Sequence, residues 1–340
     1  MNRVLLLLVL WVASLAHAQP TRAMHDMAGD TVQVPQRIER VVTVGSVPVL
    51  NSLVFAVGEG KRIANGLPVF AQKPRWGYQL VFAPQTAKLP NMQTADYAPL
   101  MEHLLQAAPD VVLTMDRSTA QTLNRAAIPA VYLAWRKPDD VKAVVRLLGE
   151  LFHRPHQAAR YVERFDEILG RVDAAIRRDR SRRPKVLYFS PATLRQPHLI
   201  AEWWIKAAGG DSVTDDGRQT ESRSFTMEQL MAWDPDVLIV SGPEEREMIL
   251  REARFSELQA VRGGRVLVAP CGAHTWANRT SEQPLTILWA ASKFHPDVVP
   301  ADWVSQETKR FYLDLFGVDL SAAQIDEILA GGPRSLPVAR

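Results

Sequence analysis

The thirteen residues MEHLLQAAPDVVL at 101–113 return as MEQLMAWDPDVLI at 227–239, with Met-Glu, one Leu and Pro-Asp-Val in register. A helix that runs into a buried strand often ends on Pro-Asp, which would explain one such unit. Two units with six of thirteen positions matched point instead to a duplication: two lobes of similar build, each carrying one copy.

The rest of the chain fits that frame. RVVTVGS (40–46) is a short β-branched run, and PVLNSLVFAVG has helical spacing closed by Gly58. Residues 66–95 form a long loop rich in Pro, Gln and aromatics. The MEHLLQAA helix, the strand VVLTM, a helix at 119–126 and the strand AVYLAW follow. Strands alternating with helices predict a mostly parallel sheet covered on both faces. Residues 139–178 differ. DDVKAVVRLLGELF is one helix, HRP interrupts it, and Pro155 suits the first turn of a second helix. That second helix, about 24 residues long, would span roughly 36 Å and is read as a strut between the lobes. The pattern then restarts with KVLYFS, HLIAEWWIKAAGG, the second repeat unit and RVLVAP. EQPLTILWAASKF is a helix opened by a Thr280–Gln283 capping box and stopped at His295-Pro296, and two tail helices lie near 305–315 and 321–330. The predicted architecture is α/β: two Rossmann-like lobes of mainly parallel sheet, joined by one long α-helix, with a ligand cleft between them. Its segments are 1–18 as a signal peptide, 19–138 as the first lobe, 139–183 as the helical connector, 184–300 as the second lobe and 301–340 as helices and tail.

Met1-Asn2-Arg3, the apolar run Val4 to Val12 and the small-x-small site Ala16-His17-Ala18 have the layout of a cleaved secretory signal, too short to span a bilayer. The mature chain is expected to start at Gln19 as a monomer soluble outside the cytoplasm, without a lipid anchor because no Cys lies near the cut. The single Cys271 excludes an intramolecular disulfide and reads as a small buried hydrophobe. Met24-His25 reads as part of a disordered start. The formal charge is only +3, and much of the basic excess sits in IRRDRSRRPK (176–185). That segment lacks interleaved aromatics and reads as a solvated helix end, not a nucleic-acid surface. The chain contains no GxSxG, HExxH, GxxxxGK[ST] or GxGxxG motif, so every clear signal is architectural and no enzyme is predicted.

The two MExLhxxxPDV units, the AEWWIKAAGG segment and the closing GRVLVAP…WANRTSEQPLTILWA stretch resemble the periplasmic substrate-binding proteins of ABC importers. The resemblance is to the helix-linked class that serves siderophores, haem, corrinoids and related metal chelates, and it covers nearly all of the mature chain. It implies a small-molecule metal chelate as transported ligand, with iron in a siderophore or haem first and a corrinoid or a nickel or cobalt complex second. It also implies an ABC permease with its cytoplasmic ATPase as partner, and no intrinsic cofactor. A secreted scavenger or sensor without a transporter is the remaining alternative. In that class each lobe carries a Glu some seven residues before Pro-Asp that meets Arg residues of the permease; here those positions are Glu102 and Glu228. Both also stand near helix starts, where the helix dipole alone favours a carboxylate.

A two-lobed protein binds its ligand on loops at the carboxyl ends of its strands. Those loops offer Arg75, Trp76 and Tyr78 in the first lobe, Arg195 and His198 in the second, and His274, Trp276 and Arg279 in the last loop. Aromatic faces suit a flat organic body and Arg forks suit anionic oxygens. His198 and His274 are also candidate metal ligands through neutral imidazole. Of Trp203 and Trp204, at least one is expected in the core.

Overall fold

In a computed structural model of the chain, residues 20–179 and 181–335 are described; the expected signal segment lies outside them. Strands β1 (Thr21–His25) and β2 (Thr31–Pro35) form an antiparallel hairpin. Residues 21–35 are therefore ordered, contrary to the expectation for Met24-His25, because Met24, Val32 and Val34 are buried and Asp26 Oδ1 closes the turn by accepting from Ala28 and Asp30 N–H. Next come β3 (Val41–Val44), α1 (Val47–Ala56), α2 (Tyr78–Phe82), α3 (Met101–Ala107), β4 (Val111–Thr114), α4 (Arg117–Arg125) and β5 (Ala130–Tyr132). Every residue of β3, β4 and β5 is buried, and they pair in parallel in the order β3-β4-β5. Val-rich runs without polar alternation suit strands covered on both faces. Helix α1 is buried on all sides, as its uniformly apolar sequence demands.

After α5 (Asp140–Leu151) and α6 (Pro155–Ile176) the second lobe repeats the plan. Its elements are β6 (Lys185–Tyr188), β7 (Arg195–Gln196), α7 (Ile200–Ala207), β8 (Asp211–Ser212), β9 (Arg223–Ser224), α8 (Met227–Trp233), β10 (Val237–Val240), α9 (Pro243–Arg251), α10 (Gln259–Arg262) and β11 (Val266–Val268). The main sheet is parallel in the order β11-β10-β6-β8, and β7 pairs with β9 antiparallel beside it. Helices α11 (Gln283–Phe294), α12 (Ala301–Phe311) and α13 (Ala322–Leu329) complete the chain.

The repeated phrase is the same structural device twice. Helices α3 and α8 each end on a residue in the left-handed region, Ala108 (φ 43°) and Asp234 (φ 40°), whose N–H reaches Leu104 O and Leu230 O respectively. The Asp after Pro then pins the entry of the neighbouring strand. Asp110 accepts from the N–H of Glu39 (2.6 Å) and Arg40 (2.8 Å), just before β3. Asp236 accepts from Lys185 N–H (2.7 Å) at the first residue of β6, and from Arg182. The Pro-Asp dipeptide thus aligns two parallel strands in each lobe by satisfying N–H groups that the ladder leaves open.

Helix α6, at 22 residues, runs roughly 33 Å. It is not a bare rod. One apolar cluster runs from Leu50, Val54 and Leu113 of the first lobe through Tyr161, Phe165 and Ile168 of α6 to Val186, Ile239, Leu288 and Phe311. Polar contacts reinforce it: Tyr161 O–H donates to Ser281 O (2.7 Å), and Ser281 donates from its N–H to Ser52 Oγ (3.1 Å) and from its hydroxyl to Ser52 O (2.8 Å). The expected capping box at Thr280 and Gln283 does not form. Helix α11 begins after Glu282, and the Thr280 hydroxyl donates to the Glu282 carboxylate instead. Capping boxes occur at α8 (Thr226, Gln229) and α13 (Ser321, Gln324).

The left-handed helix ends supply a stability test. Ala108→Gly removes a Cβ from a backbone conformation that L-residues disfavour and should stabilise by up to about 1 kcal/mol in urea unfolding. Asp234→Gly should show no such gain, because the Asp234 carboxylate also accepts from Gln259 N–H (2.8 Å).

Candidate functional site

The loops that leave the carboxyl ends of the strands converge between the lobes. Ser46 follows β3, Met115 follows β4, and Tyr132 to Arg136 end and follow β5; Arg195 to His198, Glu221, Ser222 and the segment around 274–279 face them from the second lobe. They enclose a cavity of about 620 Å³, within the usual range for a small-molecule site.

The last of these loops is built around a buried carboxylate. Glu282 is fully buried and accepts from Ala273 N–H (2.8 Å), His274 N–H (3.1 Å), Thr280 Oγ1 (2.7 Å) and the Tyr312 hydroxyl. Burial pushes its carboxyl pKa upward against those four donors. A Cβ at Gly272 would lie 2.1 Å from Glu282 Oε1 and 1.9 Å from the Tyr312 oxygen, so only glycine fits where the loop passes.

Three arginines line the cavity, Arg136, Arg195 and Arg279, against one carboxylate, Glu221. Glu221 faces Arg279 in a two-pronged pair, with Nη1 3.0 Å from Oε2 and Nη2 against Oε1. Burial acts to raise the Glu221 pKa, but the hydrogen bond and charge of Arg279 outweigh it, and the carboxyl lies below its ordinary value. Arg195 donates to Ser222 Oγ. Among the described residues neither Arg136 nor Arg195 has a carboxylate within ion-pair distance. Both are exposed, so two cationic forks stand open to the cleft.

Both histidines line the cavity, and burial lowers the pKa of each, His274 to about 3. The His274 ring lies 4.7 Å from the Trp76 ring, and its Nδ1 is 3.2 Å from Thr275 O. A carbonyl only accepts, so Nδ1 carries the proton and Nε2 keeps its lone pair. Among the described residues no group of three or more His, Cys, Asp or Glu is arranged to hold a metal ion.

Of the eight residues expected at the ligand, four line the cavity: Arg195, His198, His274 and Arg279. The other four do not. Arg75 crosses to the second lobe, donating to Ser241 O and Thr275 Oγ1 (2.8 Å). Trp76 packs behind His274, and so holds that ring in place. Tyr78 is buried, its hydroxyl donating to Gln324 O (3.0 Å) and Glu327 (2.8 Å). Trp276 is wholly in the core. Glu102 and Glu228 are exposed in the first turns of α3 and α8. Trp204 is the fully buried member of the tryptophan pair.

Sequence reasoning missed Arg136, Trp135, Tyr132, Phe70 and Tyr97. The first three follow directly from the β5 strand end, a position already known to face a cleft. Phe70 and Tyr97 meet edge-on at 5.8 Å, both exposed at the mouth, and Tyr97 holds a left-handed φ of 68°. A bulky residue kept in that region is a conformational cost tolerated chiefly where it serves a site.

Two parallel-sheet lobes closing on a polar and aromatic cavity define a two-lobed solute-binding protein. The chain belongs to the periplasmic binding protein family, whose profile matches residues 53–271. No curated protein matches it. Among solved structures, a periplasmic solute binding protein from Veillonella parvula superposes with a TM-score of 0.80 at 24% identity, over 91% of this chain and 97% of that one. The Haemophilus influenzae molybdate periplasmic binding protein MolA, bound to molybdate, gives 0.76 at 17% identity over 88% and 99%. A protein of an ABC-type Fe3+-hydroxamate transport system from Saccharomonospora viridis gives 0.61 at 18% over 81% and 99%. Likeness at these identities is likeness of fold. No described helix is long and apolar enough to cross a membrane.

The buried neutral His274 makes stability depend on pH. The unfolded chain protonates it near its ordinary value of about 6.5, the folded chain only near 3. Between those values the unfolded state holds more protons, so stability falls as pH falls, by at most about 1.4 kcal/mol per pH unit from this group. His274→Asn should flatten the decline of melting temperature between pH 6.5 and 4. Parallel curves for the two proteins would contradict the assignment.

Proposed function

We propose that the protein is a periplasmic carrier that captures an anionic metal chelate and hands it to an ABC importer, after export through a cleaved signal at 1–18. The observation that carries this reading is the charge of the cleft: three arginines against one glutamate, two of the arginines without an ion pair among the described residues, beside the aromatic faces of Phe70, Tyr97, Tyr132 and Trp135. Guanidinium forks recognise carboxylate, catecholate or hydroxamate oxygens in pairs, and aromatic faces cover the organic body. An iron chelate is the first reading. A nickel or cobalt complex is the second, favoured by His198 and His274, two imidazoles kept neutral by burial and turned to the cavity. Affinity would come from enclosure, with no chemistry on the ligand.

Glu102 and Glu228 are proposed as the two contacts with permease cations. Support comes from their matching positions in the repeat and from topology. Each lies exposed in the first turn of a short helix that leads through Pro-Asp into an interior strand of its lobe's sheet. Such rim charges govern orientation and association rate more than affinity.

Native mass spectrometry with metal analysis, on protein taken from its own periplasm, tests the ligand reading. A bound organic species with equimolar iron is expected; equimolar nickel or cobalt would select the second reading, and an occupied protein free of metal would sink both. With that ligand, Arg136→Ala and Arg195→Ala should each weaken binding about tenfold, roughly 1.4 kcal/mol, while leaving the melting temperature unchanged. The double variant Glu102→Ala, Glu228→Ala should abolish uptake without altering ligand affinity; a loss of affinity would place these residues elsewhere in the mechanism.

A further inference from the structure

Large apolar side chains are rarely exposed in this molecule: among the described residues seven are, and two of the seven are Leu105 (63%) and Met231 (40%). These two occupy the same position of the repeated phrase, one in each lobe. Each stands three residues after the conserved-in-register glutamate, Leu105 after Glu102 and Met231 after Glu228, and residues three apart share a helix face. The residue just before each, Leu104 and Leu230, is fully buried and supplies the helix's contact with its own lobe. The core therefore has no use for the apolar groups at 105 and 231. A single exposed leucine is ordinary; matched exposure at both copies of a repeat, each beside an unpaired carboxylate, is not explained by packing.

We propose that each docking point is a charge–apolar pair, Glu102 with Leu105 and Glu228 with Met231, and that the membrane partner answers with two equivalent sockets, each a cation beside an apolar depression. This rests on the docking reading above and adds the second half of each contact. The occupant follows from complementarity: both carboxylates are exposed and form no ion pair among the described residues, so each calls for an arginine or lysine. Duplication of the pair calls for a partner built of two like halves. The division of labour is physical. Carboxylates act at long range and set the rate of encounter, whereas apolar burial acts only on contact and sets how long the complex lasts.

The test measures both rates for the carrier binding its permease–ATPase complex in nanodiscs. Leu105→Gln with Met231→Gln should speed dissociation about tenfold and leave association within about twofold. Glu102→Gln with Glu228→Gln should slow association and flatten its dependence on salt. The exchanged variant Leu105→Met, Met231→Leu should keep the wild-type lifetime, which separates loss of the apolar contact from any disturbance of the helices. If the Leu105 and Met231 substitutions leave dissociation unchanged while the glutamate substitutions weaken binding, the paired-contact proposal is overturned and the docking reading stands. If neither pair of substitutions alters binding, the docking reading itself falls.

Discussion

The carboxylate of Glu282 is the interaction on which the site depends. A buried carboxylate is tolerable only when its oxygens are hydrogen-bonded, and this one draws in four donors from three places: the backbone of 273–274, Thr280 and Tyr312. Through those bonds it fixes the path of the loop that carries His274 and Arg279, and it binds that loop to the segment following α12. Gly272 is the complement, a residue without side chain where two side-chain oxygens crowd the backbone. The cavity-lining groups of the last loop are thus held by the interior, not by each other.

Much of the architecture was legible because it is written in patterns that burial enforces. Val-rich runs become parallel strands, the 22-residue amphipathic stretch becomes α6, and the repeated phrase becomes the same strand-aligning device in each lobe. The site was legible only in part. A loop's composition says which chemistry is available but not which way each side chain turns. Arg75, Trp76, Tyr78 and Trp276 have the same chemistry as true lining residues, yet they face the other lobe, the back of His274, α13 and the core. Nothing local distinguishes them, because their partners lie about 200 residues away for Arg75 and 249 for Tyr78. Arg136 is hidden for the opposite reason: it lies four residues beyond a three-residue strand, too short for its end to be marked in the sequence.

The cleft itself has an internal counter-ion. Glu221 engages Arg279 with both oxygens, so one of the three guanidinium groups lining the cavity has a carboxylate partner within the protein. Under the proposed function, an anionic ligand would find Arg136 and Arg195 without a carboxylate partner among the described residues and would compete with Glu221 for Arg279. This pair partly balances the positive charge of the pocket, and under the proposed function it would favour ligands with enough anionic oxygens to displace a tethered carboxylate.

The apolar cluster that threads both lobes through α6 has a consequence for how the molecule holds together. No plane can be drawn between the halves without cutting through it. Each lobe has an apolar cluster of its own, but a truncation after α6 would expose the apolar surface that both lobes share through that helix. The two similar lobes share one apolar core, so a single unfolding transition is expected of them.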